Sequence, residues 1–166
     1  MRSLFRRWGD GMRPLAAIVA MLGLGTGSIA NAGELQGPAR FCGFSPIIDL
    51  KEGEAVTVLR GGIHSGTFLW SGSFGALEVT GNGWSSKPRG RMRYKATSKG
   101  HAIIAERHIK DEYVVAIWNR ANGAAYFSSK QRLTKEQLAA IDRVDLFDEN
   151  DPEPLGCKLR TVFVWE

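Results

Sequence analysis

Short β-prone runs punctuated by turn-forming residues dominate this chain and restrict it to a mainly β fold. Ala55-Val56-Thr57-Val58-Leu59 is rich in β-branched residues, and Gly75 to Thr80 (GALEVT) alternates as a half-buried strand requires. Gly66 to Trp70 (GTFLW), Arg89 to Lys95 (RGRMRYK), His101 to Glu106 (HAIIAE), Tyr113 to Trp118 (YVVAIW), Ala124 to Ser128 (AAYFS) and Leu159 to Trp165 (LRTVFVW) are likewise of strand length. Asn82-Gly83 offers the left-handed dihedrals of a tight hairpin, Lys110-Asp111-Glu112 makes a polar turn, and Asn122-Gly123 joins two apolar runs. His101 to Ser128 therefore reads as an antiparallel meander, with Gly33 to Arg40 as an extended lead-in. Trp118 and Trp165, inside apolar runs, are expected in the core.

One segment breaks the period-two pattern. Thr134 precedes Gln137 by three residues, the spacing of a capping box, and Leu138, Ile141 and Val144 follow at helical spacing. The expected fold is a single antiparallel β-barrel or β-sandwich with one helix in the C-terminal half.

The first 32 residues are of another kind. Arg2, Arg6, Arg7 and Arg13 flank the start of a short apolar run, Leu15 to Leu24, and Ala30-Asn31-Ala32 follows. A basic head, a greasy middle and an A-x-A exit form a signal peptide, expected over 1–32, with 33–166 as one exported, periplasmic or secreted bacterial β domain. The apolar run is half of the ~20 residues that a spanning helix needs, so no transmembrane span is expected in the mature form. Arg6-Arg7 lacks the small and apolar followers of a twin-arginine signal, and translation starts at Met1 or Met12.

Removal of this segment changes the charge. The full chain carries +5, whereas residues 33–166 hold 18 basic and 16 acidic side chains, a net of +2. Nucleic-acid binding, which draws on a strong basic excess, is not expected. In an oxidising compartment the only two cysteines, Cys42 and Cys157, are expected to form one disulfide.

Residues Pro46 to Leu59 (PIIDLKEGEAVTVL) resemble the opening of bacterial SH3-like domains, where a turn with Gly precedes a Val-rich strand. The Gly-Trp of the next strand is not in place, since Trp70 arrives late. The stretch is read as β-hairpin chemistry, and no residue role is carried over.

Catalytic motifs are weak. His64 and Ser65 adjoin in a Gly-rich turn, Gly61 to Gly66, but adjacent residues of an extended segment face opposite ways. Ser71-Gly72-Ser73-Phe74-Gly75 lacks the first Gly of a serine elbow and the parallel α/β sheet behind it. His101 and His108 are seven apart and would face opposite sides of one strand, so no metal site is expected. The acidic run from Asp148 places Pro152 and Glu153 where a calcium loop needs a ligand and a glycine. No cofactor is expected.

The most distinctive polar pattern is basic. Lys87, Arg89, Arg91, Arg93 and Lys95 recur at period two, which places them on one face of a regular strand, with Met92 and Tyr94 on the core side. Trp84 precedes them on a turn, where an indole can stack on a sugar or anchor a partner. The expected function is non-catalytic: an exported β domain binding an envelope protein, acidic glycan or lipid headgroup through Trp84, Lys87, Arg89, Arg91, Arg93 and Lys95. Alternatives are a small secreted hydrolase using His64, and an inhibitor or stability factor of an envelope enzyme acting through the Gly61 to Gly66 loop. A charged edge strand, or pairing of these cations with the acidic Asp142 to Glu153 region, would account for the pattern without a ligand.

Overall fold

The computed structural model describes residues 33–62, 64–83, 85–148 and 156–160. The expected signal peptide, Trp84, most of the acidic loop after Asp148, and Trp165 lie outside the described residues. Among the described residues the order is β1 (Glu34–Gln36), β2 (Ala39–Cys42), β3 (Pro46–Leu50), β4 (Ala55–Gly61), β5 (Ser65–Gly72), β6 (Gly75–Asn82), β7 (Ala102–Ile109), β8 (Glu112–Trp118), β9 (Ala124–Ser129), α1 (Lys135–Asp142), β10 (Asp145–Leu146) and β11 (Cys157–Arg160).

The strands form two sheets. A seven-stranded antiparallel sheet runs β1-β4-β5-β6-β9-β8-β7, and a four-stranded sheet runs β10-β3-β2-β11, with β11 parallel to β2. The larger sheet ends at β1 and β7 and is not closed, so the barrel alternative is overturned. Alternation drives the packing. Val56 and Val58 of β4, Phe68 and Trp70 of β5, and Leu77 and Val79 of β6 turn inward, where they meet Phe41, Ile48 and Leu50 of the smaller sheet in one core. Phe41 and Phe68 touch edge-on across the sheets, with centroids 4.9 Å apart. Gly66 is glycine for that reason: a Cβ there would lie 2.6 Å from the Phe68 ring and 2.8 Å from Phe44.

Two chain corners carry the backbone between the sheets. Gly37-Pro38 leads from β1 to β2, and Lys51 to Glu54 leads from β3 to β4. The second is a correction to the hairpin expected over Pro46 to Leu59: β3 pairs with β2 and β10, while β4 pairs with β1 and β5. Burial explains the difference, because Leu50 and Val56 both face the shared core from opposite sheets. The corners touch. Gly37 N donates to Glu54 O at 2.8 Å, and a Cβ on Gly37 would lie 2.0 Å from Lys51 O, so only glycine fits.

The β7-β8-β9 meander forms as expected. Lys110 and Asp111 take φ of 47° and 65°, the positive pair that a two-residue type I′ hairpin needs. Asn122-Gly123 lies in the β8–β9 loop as expected, and the Asn119 carboxamide oxygen there accepts from Ala121 N at 2.9 Å and Gly123 N at 3.0 Å. The expected capping box is present: Thr134 accepts from Gln137 N, and the Gln137 side chain accepts from Thr134 N. Gln137, Ala140 and Ile141 are buried, and Gln137 Nε2 donates to Ala76 O, which pins the helix over the start of β6.

Asn82-Gly83 departs from expectation. It closes no hairpin, because β6 pairs with β5 and β9 and the chain leaves the sheet. Trp118 is a second correction. Half-buried at the end of β8, it donates to Ala121 O, whereas Trp70 is the indole fully inside the core.

Candidate basic interface

Between β6 and β7 the chain forms a strap across the outer edge of β7. Ser85 N donates to Asn122 O at 2.8 Å, Pro88 is buried, and Met92 makes an isolated antiparallel bridge with Ile104. Around that bridge Ala105 N donates to Arg91 O and Arg93 N donates to Ile103 O, both at 2.7 Å. Gly90 permits the approach: its φ is +133°, and a Cβ would lie 2.8 Å from Ile104 Cγ2. At the far end Thr97 is buried and its hydroxyl accepts from His101 N, while Ser98 N and Oγ donate to the Asp142 carboxylate and carbonyl. The backbone is thus tied at Ser85, Met92, Thr97 and Ser98.

This placement corrects the expected strand. Arg89 to Lys95 makes one bridge rather than a ladder, and Met92 and Tyr94 do not reach the core. Met92 is half-exposed and Tyr94 fully exposed. The physical reason is geometric: the strap lies outside an edge strand, and no described element covers Met92 or Tyr94, so alternation sorts side chains without burying either set. Lys87, Arg89, Arg91, Arg93 and Lys95 are all exposed. None of them takes part in an ion pair among the described residues, where Arg40, His101, Lys130, Arg132 and Arg143 make the contacts to acids. Pairing with the described acids of the helix end does not occur either. Asp142 holds Ser98, and Asp145 lies 2.7 Å from His101 Nε2. Five cations and a bare tyrosine therefore share a strap nine residues long, from Lys87 to Lys95, whose backbone is already fixed.

Beside the strap lies a groove of about 380 Å3, floored by Ile103, Leu138 and Ile141 and rimmed by Arg93, Lys95 and Asp142. A hollow of similar size, about 370 Å3, lies on the other side of the β9–α1 connection. Two acids, Glu78 and Glu112, and two bases, Lys130 and Arg132, line it, with Lys130 bound to Glu112 at 3.0 Å.

The tightest polar cluster sits at the sheet corner, and the sequence did not flag it. Glu54, 8% exposed in its side chain, takes both carboxylate oxygens to Arg143 Nη2 at 2.5 Å and accepts from Lys51 N. Arg143 also donates to Asp49 O and lies 4.9 Å from the Trp70 ring centroid, while Trp70 Nε1 donates to Glu54. Burial pushes the Glu54 carboxyl up. The hydrogen bonds and charge of Arg143, with the Lys51 amide and Trp70 indole, outweigh it and hold the carboxyl below its ordinary value. With Glu54 buried and Arg143 bonded to both Glu54 and Asp49 O, this cluster braces the fold.

His64 and Ser65 are exposed at the tip of the β4–β5 hairpin, where the His64 carbonyl accepts from Gly83 N. Among the described residues no acid hydrogen-bonds the His64 ring. Ser73 and Phe74 form the β5–β6 hairpin turn. His101 is paired with Asp145, and His108 stacks on Tyr113, so the two do not converge. No group of three metal-ligating side chains assembles among the described residues, and no described helix is long and apolar enough to cross a membrane. Cys42 is buried and is not a free thiol, and the parallel β2–β11 pairing sets the backbone of Cys157 opposite Arg40.

Tyr94 and the groove were missed from sequence. Tyr94 had a signal, an aromatic between two cations, but its period-two position assigned it to the core. No protein-family model, curated protein or solved structure matches the chain, so the strap's chemistry stands on its own residues.

Proposed function

We propose that the protein is a non-catalytic, exported envelope domain that binds an anionic ligand, a lipid headgroup or an acidic glycan, through the strap from Lys87 to Lys95. The observation that carries this reading is the set of five exposed cations on a pinned backbone, with no ion pair among the described residues to neutralise them. Cations fixed on one segment add their fields, and a prefixed backbone loses little entropy on binding. The basic head and A-x-A exit of residues 1–32 support export, and a Cys42–Cys157 disulfide would suit that compartment. Trp84, which precedes Ser85 in the sequence, carries an indole of the kind that stacks on sugars.

Substitution of Arg89, Arg91 and Arg93 by Ser tests the reading. Each cation near an anionic surface contributes about 1 kcal/mol. The triple variant should therefore bind anionic phosphatidylglycerol vesicles about 100-fold more weakly, with an unchanged thermal melt. Equal binding by variant and wild type would refute the assignment.

A further inference from the structure

The groove beside the strap has the wrong chemistry for a purely polar ligand. Ile103 and Leu138 are half-buried, leaving apolar surface open between β7 and α1, and Ile141 closes the floor. Arg93 and Lys95 stand at its rim. The single acid there, Asp142, is held by Ser98 N at 3.2 Å and is outnumbered by the two cations. At about 380 Å3 the groove falls at the low end of small-molecule sites, about 300–1,000 Å3. The other hollow is lined by two acids and two bases, so it has no such excess of positive charge.

We infer that this groove binds a single-chain anionic amphiphile, with its phosphate or carboxylate on Arg93 and Lys95 and its alkyl chain along Ile103 and Leu138. The inference rests on the strap reading and narrows it. The strap recruits negative charge along its length, and the groove selects ligands that also carry a slender apolar chain. A free headgroup would engage the rim alone, and a bulky polyanion would engage the strap but leave the groove unfilled.

The test uses the protein as recovered from the expressing cell, titrated below the critical micelle concentration with alkyl phosphates of increasing chain length. Glycerol phosphate supplies the head without the chain, and alkyl maltosides supply the chain without the charge. Affinity should rise about fourfold for each methylene that enters the groove, then level off. Ala139 is exposed on the groove side of α1, so Ala139→Trp fills the groove without touching the core. That variant should melt as wild type does and flatten the chain-length dependence. Arg93→Ser with Lys95→Ser should weaken alkyl phosphates at least tenfold and leave alkyl maltosides unchanged. If alkyl phosphates bind no better than glycerol phosphate, or the slope survives in Ala139→Trp, the amphiphile site is wrong. The strap reading then stands or falls on vesicle binding by the Arg89, Arg91 and Arg93 variant.

Discussion

Glu54→Gln should destabilise the protein far more than Asp49→Asn, although both remove a carboxylate paired with arginine. Glu54 and Arg143 side chains are 8% and 21% exposed, against 62% and 39% for Asp49 and Arg40. Removing one partner of a buried pair costs about 3–5 kcal/mol, because the other charge is left without compensation. The partial exposure of Arg143 puts this pair near the lower figure, about 3 kcal/mol. Exposed pairs contribute about 0.2–1 kcal/mol. Unfolding entropy of about 2.1 cal/mol/K per residue, over roughly 130 residues, converts these to a Tm drop of about 10 °C for Glu54→Gln and at most about 4 °C for Asp49→Asn. Circular dichroism melts at neutral pH would measure both. A pH series adds an independent sign. The Glu54 carboxyl is depressed in the folded state. Its contribution is therefore complete above the unfolded value of about 4.3 and is lost as pH falls through the folded value. Glu54→Gln should lose less stability than wild type over that acid range. Equal Tm drops in the two variants, or acid profiles that stay parallel, would show that the corner is not braced by this pair.

Other consequences follow from single positions. Thr134→Ala removes the helix cap and should cost about 1 kcal/mol, read as a Tm lower by about 3–4 °C. Gly90→Ala forces a Cβ against Ile104 at φ +133°, and should raise amide exchange at Arg93 and Ala105 while β4 to β6 stay protected; unchanged exchange would mean that Gly90 does not seat the strap. Non-reducing mass spectrometry should recover Cys42 and Cys157 in one linked peptide pair. Reduction should then lower stability, with about 4–5 kcal/mol as the chain-entropy ceiling for a loop of more than 100 residues.

The residues that disclosed their structure from sequence are those whose local pattern and burial agree. Val56 and Val58, Leu77 and Val79, and the Thr134–Gln137 box each obey a period that the core or the helix end enforces. Partner choice was less accessible. β6 pairs with β9 across some forty residues, and local alternation carries no information about such a partner. The Lys51 to Glu54 turn looks like a hairpin because a tight reversal needs the same residues whether the chain returns to its own sheet or crosses to another. The candidate site follows the same logic. Its cations were plain from their spacing, but Met92 and Tyr94 were placed inward because alternation was equated with burial. At an edge where no described element covers Met92 or Tyr94, alternation has no core to point to. The groove was invisible for a further reason: Arg93, Ile103 and Leu138 are distant in sequence and meet through the β7–α1 juxtaposition.

The central claim is that the position of the cations, and not the net charge, makes the strap a binding surface. The direct measurement compares two variants of equal charge on vesicles of phosphatidylglycerol and phosphatidylcholine. One carries Arg89→Ser, Arg91→Ser and Arg93→Ser, and the other carries Lys51→Ser, Arg60→Ser and Lys135→Ser at exposed positions off the strap. The strap variant should lose about 100-fold in affinity and the control only a few-fold. Equal losses in the two variants would contradict the account.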